Sequence, residues 1–588
     1  MMDDTNLNIP YPWLKKYPSS PKWDSPLSDA PVHKMLDETA AQHPNAPAFD
    51  FLGAKQNWEE INIQTKKLAK GLQDIGVTKG TKVGIFLPNC PLFVVAYYAL
   101  MRIGATVINY NPLYAIEELE NMIEDSDTDI IITVDLEMLY NKMSKMLHNT
   151  RLEKVVVASF TNMLPFPKNM LFKYLKSQEL AKISPNKRVI CYETLMQNKG
   201  DYAPVDINPE EDVALFQYTG GTTGTPKGAM LTHRNIVANT EQSSLYLGCG
   251  QAEDRMLGIL PFFHVFAMTV VMNVSVKNAM EIIALPRFEL DATLKLIHTK
   301  RPTIFPAVPA ILSGINNNKK LGKYDLSSIK SCLSGGAPLP VEVKAKFKEK
   351  TGCDAAEGYG LTESSPVLCG NPPTGEDKAG SIGLPLPQTI IELIDHKTGK
   401  HVGVGERGEL CVRGPQVMKG YWNRPEENKQ TLQDNGTRLH TGDVAIMDED
   451  GYFYIVDRIK DMIITNGYNV YPRNVEEAIY KHPSVEEVIV AGLPDRQRGE
   501  IVKAWIKRKE GRNLTIEDLK TFLADKISPM ELPKRIEFRE NALPKTMIGK
   551  LSRKDVVAQE LENGDENDVD DNLDMKAKAK EMAAIEPS

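Results

Sequence analysis

The sequence lacks any cysteine pattern that would cross-link it. Its seven cysteines (Cys90, Cys191, Cys249, Cys332, Cys353, Cys369 and Cys411) are scattered, odd in number and never spaced as CxxC. That distribution offers neither a disulfide framework nor a structural zinc knuckle, and it fits reduced thiols in a cytoplasmic protein. Basic charge is not in excess either: Lys and Arg total 70 against 78 Asp and Glu, a formal charge of -8. Nucleic acid is therefore not an expected partner. The N-terminus, MMDDTNLNIPYPWLKKYPSS, contains no apolar core of signal-peptide length. The longest apolar run, Leu92 to Met101, stops at Arg102. It is too short to span a bilayer and predicts a buried helix. No internal repeat is present.

What remains is an ordinary globular composition, 42% hydrophobic and 25% charged over 588 residues, enough to bury several cores. The first 205 residues alternate short β-rich runs (KVGIFLP, DIIITVD, KVVVASF) with longer helix-like stretches. This pattern predicts an α/β fold with parallel, layered sheets, and it resumes at TIFPAVPAI and SIKSCLSGGAPLP. From about Ser381 the texture changes to short strands separated by Asp-Gly and Asn-Gly, which predicts hairpins. Asn474, with Glu477 three residues on, reads as the cap of a helix. Strands EEVIVAGLP and VKAWIKRK and a helix in TIEDLKTFLADKI follow, making a small α+β domain. The predicted organisation is a large multi-subdomain N-terminal domain (1–456), a hinge (457–461), a small C-terminal domain (462–556) and an acidic tail (557–588). Order is expected to end after Lys554. Glu560 to Asp574 holds eight acidic residues and no basic one, too little apolar surface to offset the entropy of ordering.

Residues 165–188, inside LPFPKNMLFKYLKSQELAKISPNKR, are basic and amphipathic: Lys168, Lys173, Lys176, Lys182, Lys187 and Arg188 beside Phe166, Leu171, Phe172 and Leu175. Two readings stay open for this segment, a surface helix packed on its domain and a peripheral contact with an anionic membrane face.

The stretch QYTGGTTGTPKGAMLTH, Gln217 to His233, carries the strongest chemical signal. Its lysine invites comparison with the Walker loop, GxxxxGK[ST], which opens directly into a helix. Here Lys227 follows Pro226, no Ser or Thr comes next to hold magnesium, and an apolar run follows the loop. A Walker ATPase is therefore not the reading. A phosphate cradle still is. Gly220, Gly221, Gly224 and Gly228 let backbone N–H groups turn inward. Thr219, Thr222, Thr223 and Thr225 add hydroxyls, and Lys227 adds a point charge.

At this loop the sequence resembles the adenylate-forming superfamily of acyl-CoA synthetases, luciferases and peptide-synthetase adenylation domains. Further blocks extend the resemblance in family order: SGGAPLP (334–340), EGYGLTESSP (357–366), GYWNRPEEN (420–428), LHTGDVAIMDEDGY (439–452), DRIKDMIITNGYNVYP (457–472) and LPKTMIGKLSR (543–553). Several blocks look most like bacterial long-chain fatty acid–CoA ligases. The resemblance implies ATP, Mg2+ and CoA as reactants and cofactor, and two half-reactions. A carboxylate first forms acyl-AMP with release of pyrophosphate, and CoA thiol then displaces AMP. The attacking carboxylate is already ionised at neutral pH, so the first step needs positioning and positive charge rather than a base.

Residue by residue, the resemblance makes Lys550 the adenylation lysine and Thr362 a donor to the α-phosphate. Glu363 and Thr219 match the magnesium-associated positions. Gly220, Gly221, Thr222, Thr223, Gly224 and Lys227 match the loop around the outer phosphates. Gly336, Glu357, Gly358 and Tyr359 match the adenine pocket, Asp443 and Arg458 the ribose site, and Lys460 the interdomain hinge. Gly467 would border the pantetheine channel. His264 and Met268 fall in the block at the acyl-site mouth, where a packing or gating histidine is an alternative to a thiol base. Two departures matter: Thr437 and Arg438 stand where related enzymes carry Trp before LHTGD, and Met268 stands where some place a Trp gate. An aromatic-acid ligase and a non-catalytic acyl or nucleotide sensor remain alternatives. Chain-length preference, and whether the protein is a monomer or homodimer, stay open.

Overall fold

The computed structural model describes residues 11–219, 226–250, 252–372, 375–466, 468–495, 497–546 and 550–562. Gly220, Gly221, Thr222, Thr223, Gly224, Gly467 and the acidic tail beyond Glu562 lie outside the described residues. The chain divides into two compact units. Of the described residues, one comprises those within 11–219, 226–390 and 412–439, and the other those within 391–411 and 440–562.

The first unit is layered α/β, as its alternating pattern predicts. One sheet has eight strands. Five of them, Thr106–Asn109, Lys82–Ile85, Ile130–Val134, Lys154–Ala158 and Val189–Cys191, run parallel with Val213–Thr219 beside them. Ile130–Val134 is buried at every position, which is why it reads as an unbroken apolar run rather than an alternating one. A nine-stranded sheet is built on parallel pairs that include Ile304–Ala307, Ser331–Ser334 and Ala355–Gly360. The apolar run after Cys90 is the helix Pro91–Arg102, buried along its whole length. Arg102 is tolerated there because its guanidinium meets Asp37 at 2.7 Å.

In the second unit, residues 443–447 of the strand Arg438–Met447 pair antiparallel with Phe453–Arg458, the hairpin expected around Asp450-Gly451. A five-stranded sheet pairs Val485–Asp495 with Gly499–Arg508 along nearly their full lengths. Its apolar face, including Val488, Val490, Val502, Ala504 and Ile506, packs with Val475, Ile479, Leu519 and Leu523 from two helices. Two expectations need correction. The first helix of this unit is Pro472–Tyr480, capped at Tyr471 rather than at Asn474. Pro472 has its φ preset for a helix and no N–H to satisfy, so the helix begins there. Nor does order end after Lys554. The helix Arg553–Glu562 continues past it, anchored through Val556, which is fully buried against Trp505 and Ile489, and through Glu560, which takes Lys503 at 2.5 Å. No helix among the described residues is long and apolar enough to cross a membrane.

Candidate functional site

In the first unit, the loop of Gln217–His233 is carried by a hairpin. Val213–Thr219 pairs antiparallel with Lys227–Thr232, and the register sets Thr219 opposite Lys227 and Tyr218 opposite Gly228. Backbone pairing therefore fixes both ends of the phosphate-loop candidate. Gly228 packs closely, since a Cβ there would stand 3.2 Å from the Tyr218 ring. Lys227 Nζ lies 3.3 Å from Glu427 and 5.7 Å from the centre of the Tyr421 ring.

The GYWNRP block wraps this hairpin. Gly420–Tyr421 pairs with Lys227–Thr232, and the Trp422 N–H donates to the Gly228 carbonyl at 2.9 Å. Asp125 gathers three of the surrounding groups: the Tyr218 hydroxyl at 2.6 Å, Arg424 at 2.7 Å and, through its carbonyl, the Trp422 indole N–H at 3.0 Å. Thr362 and Glu363 belong to a short 3-10 turn, Thr362–Ser364, that packs on both hairpin strands. The Tyr421 hydroxyl donates to Glu363 Oε1 at 2.6 Å. Burial and the neighbouring Glu363 charge push the Tyr421 phenol well up, so it stays a donor. A carboxylate oriented in this way, with the Thr219 hydroxyl at the strand end, supplies the hard oxygen donors that suit Mg2+.

Glu357 and Gly358 lie where Ala355–Gly360 leaves the parallel part of the nine-stranded sheet, with Glu357 in register with Ser334. Glu357 Oε1 accepts from the Leu339 N–H at 3.2 Å, holding the SGGAPLP turn in which Gly336 takes a φ of +79°. Tyr359 continues into an antiparallel pair with Cys369. The ends of parallel strands and the turns after them are the usual place for a nucleotide in such sheets.

His264 lies three residues before a π-helix, Ala267–Asn273, which contains Met268 and is buried throughout. Such wide turns recur at functional sites. Burial holds the His264 imidazole down at about 4, so it is neutral at pH 7, and its Nδ1 accepts from the Phe266 N–H. Met268 is fixed rather than loose: it is fully buried, and its sulfur lies 3.5 Å from Asn109 Nδ2. Asn109 also reaches Gln217 Oε1, and Gln217 donates to the Phe263 carbonyl at 3.0 Å. This chain of contacts links the phosphate-loop strand to the His264 block. Where related enzymes have Trp, Thr437 and Arg438 instead join a polar cluster. Arg413 donates to Thr437 Oγ1 at 2.6 Å and also pairs with Asp434, which takes Arg438 at 3.2 Å.

In the second unit, the hairpin register sets Asp443 opposite Arg458, and Arg458 Nε meets Asp443 Oδ1 at 3.0 Å. Asp443 is 3% exposed. Its turn is clamped from the strand Gly408–Arg413. Glu409 accepts from the Gly442 N–H at 3.1 Å and pairs with His440 Nδ1 at 2.9 Å, while the Thr441 hydroxyl donates to the Leu410 carbonyl. Glu409, Cys411 and His440 are the one His/Cys/acid group of metal-holding dimensions among the described residues. Lys460 lies in the 3-10 turn Ile459–Asp461, directly after Arg458.

Lys550 sits in a narrow loop. The Thr546 N–H donates to its carbonyl at 2.7 Å, and its own N–H donates to Thr546 Oγ1 at 3.2 Å. Burial lowers its ammonium to about 8; Arg458 and Arg553 push the same way, and Asp443 and Asp461 oppose them. Arg553 is the tie for this segment. It meets Glu476 at 2.7 Å, Asp461 at 3.0 Å and Asp457 at 3.6 Å, and it donates to the Val490 carbonyl.

The structure thus brings Thr219, Lys227, Thr362 and Glu363 together in one unit, and Asp443, Arg458 and Lys550 together in the other. Sequence reasoning missed Tyr421, Arg553, Asp125 and Glu409 as supporting residues. The first two lay inside the quoted blocks, so the motif text held the signal; the other two lie in plain sequence where no local pattern marks them.

Comparison with known proteins places the chain in a family. The AMP-binding enzyme family fits residues 36–422, and the AMP-binding enzyme C-terminal domain fits residues 474–550. A long-chain-fatty-acid–CoA ligase of Bacillus subtilis (strain 168) is 44% identical over 94% of this chain and 98% of its own length. One from Escherichia coli O157:H7 is 35% identical over 92% and 97%. Among solved structures, ATP-bound MatB from Rhodopseudomonas palustris aligns with a TM-score of 0.79 at 27% identity, covering 90% of this chain and 99% of that one. An anthranilate CoA ligase in complex with anthranoyl-AMP aligns with a TM-score of 0.80 at 25% identity, covering 91% and 98%. The chain belongs to the AMP-binding enzyme family, within the adenylate-forming superfamily.

Proposed function

We propose that this chain is an ATP-dependent, AMP-forming fatty acid–CoA ligase acting on medium- or long-chain acids. The observation that carries the substrate class is the near full-length 44% identity to a relative bearing that name. In the first half-reaction a carboxylate oxygen attacks the α-phosphorus, the bond to the β-phosphate oxygen breaks, and pyrophosphate leaves. No proton moves, so the chain's task is to orient and to neutralise. Thr219, Lys227 and the loop Gly220, Gly221, Thr222, Thr223 and Gly224 orient the departing phosphates, and Thr362 donates to the α-phosphate. Glu363 and Thr219 would hold Mg2+, which when bound would supply positive charge to the phosphate oxygens. Gly336, Glu357, Gly358 and Tyr359 surround the adenine. Asp443 accepts from the ribose hydroxyls with Arg458 beside it, and Lys550 bridges the carboxylate and the α-phosphate.

In the second half-reaction the CoA thiol gives up its proton to solvent, its sulfur attacks the acyl carbon, the bond from that carbon to the AMP phosphate oxygen breaks, and AMP leaves. Lys460 is the hinge between residues 1–456 and 462–556, and Gly467 borders the pantetheine. His264 and Met268 face the acyl group. A histidine held at about 4 is a weak proton acceptor, which favours packing or gating for His264 over the thiol-base role. The reading includes a cytoplasmic location with peripheral membrane contact through residues 165–188.

Pyrophosphate release with a panel of acids tests it. Palmitate should yield AMP and acyl-CoA, and benzoate-type acids should not. ADP and phosphate as products would overturn the mechanism; turnover restricted to aromatic acids would overturn the substrate class.

A further inference from the structure

The helix Lys168–Leu175 has no buried residue. Of the fifteen large hydrophobic side chains exposed among the described residues, five lie between residues 166 and 175: Phe166, Met170, Leu171, Tyr174 and Leu175, exposed by 51% to 84%. Within the helix the spacings 170/174 and 171/175 set four of them in one stripe, and Phe166 stands just before it. The helix is fixed from its other side. Phe172 packs on Phe160 with ring centres 5.5 Å apart, and Lys168 Nζ donates to the Leu52 carbonyl at 2.6 Å. The stripe is therefore held outward by anchors of its own, and a contiguous exposed apolar face marks an interaction surface.

Charge identifies the partner. Residues 165–188 contain six basic residues and one acid, Glu179, against -8 for the whole chain. Lys176 takes up Glu179 at 2.9 Å, while Lys173, Lys182 and Lys187 form no ion pair among the described residues. A second copy of this face would bring the same positive charge, which works against self-association. An anionic bilayer surface offers opposite charge to the lysines and an apolar layer to the stripe, the two signals that together give reversible interfacial binding.

We propose that Lys168–Leu175 is an interfacial helix that seats on anionic phospholipid, with Met170, Leu171, Tyr174 and Leu175 entering the acyl boundary and Lys173, Lys176 and Lys182 on the headgroups. This deepens the peripheral contact in the fatty-acid reading and rests on that reading for its purpose, though not for its binding.

Flotation of the full chain with vesicles, without ATP or acid, tests it. The protein should co-float with phosphatidylglycerol-containing vesicles, not with pure phosphatidylcholine, and molar salt should release it. The variant Met170→Ser/Leu171→Ser/Tyr174→Ser/Leu175→Ser and the variant Lys173→Gln/Lys176→Gln/Lys182→Gln should each lose roughly tenfold or more in partitioning. Both alter exposed groups, and both should keep wild-type turnover of a detergent-dispersed acid. Failure of the wild type to float, or floating of the serine variant as well as the wild type, overturns the proposal. So does equal binding to neutral vesicles. A changed sedimentation of the lipid-free serine variant also overturns it, because the face would then be a protein interface. Loss of turnover in the wild type would count against the ligase reading instead and leave flotation unaffected.

Discussion

Lys227 and Lys550 stand in differently built surroundings. Lys227 begins a strand, and paired backbone sets it opposite Thr219; its side chain is 36% exposed and its ammonium pairs with Glu427. Lys550 lies outside regular structure, in a loop that the Thr546 contacts narrow, among the charges of Asp443, Arg458, Asp461 and Arg553. Backbone register places the first lysine in partly wet surroundings, where an ion pair contributes little. Burial and side-chain charge tune the second, and a charge of that kind acts more strongly on a developing anion. A lysine near glycines in a motif is thus not one kind of object.

The contrast is broken most forcefully by removing the second lysine. Lys550→Ala should lower acyl-AMP formation by roughly a thousandfold, the scale seen for lost transition-state charge partners. Thioester formation from supplied acyl-AMP should survive far better. Pyrophosphate release and acyl transfer, measured separately, check this; equal loss in both steps would show that Lys550 does not act in adenylation alone.

A smaller effect follows from the tuning. In the proposed role the ammonium of Lys550 is the acting form, and its pKa is lowered from 10.5 to about 8. Adenylation should therefore hold below that pH and fall as pH rises through it, approaching tenfold per unit beyond. Because Arg458 pushes the pKa down, Arg458→Gln should move the alkaline limb upward while weakening ATP binding. A limb that stays in place in that variant would remove Lys550 as its source.

The same contrast explains what could be read before the fold was known. The parallel layers, the buried Pro91–Arg102 helix and the Asp-Gly hairpin were legible because periodicity and turn chemistry are local. The site residues were legible only as motif text. Spacing excluded a Walker loop at Lys227, but nothing in spacing sets Lys550 beside Arg458, 92 positions away. Tertiary partners also decided the misses. The helix at Arg553–Glu562 persists into acidic sequence because Val556 and Glu560 find Trp505 and Lys503, contacts that composition does not carry. Asp125 and Glu409 act by collecting donors from distant segments, so they leave no pattern in their own surroundings.

The finest test of the comparison lies on the Lys227 side. Glu427 is 34% exposed and faces Lys227 at 3.3 Å, a half-exposed pair of the kind worth only about 0.2–1 kcal/mol. Glu427→Gln should free the Lys227 ammonium for a phosphate and remove a like charge from the path of an anionic nucleotide. The KM for ATP should then fall, by less than about fivefold, and raising ionic strength should shrink the change. The alkaline limb assigned to Lys550 should stay where it is. A rise in KM of tenfold or more would mean that Glu427 itself positions ATP or its cation, so that the paired Lys227 is held as tightly as Lys550 and the distinction between the two settings fails.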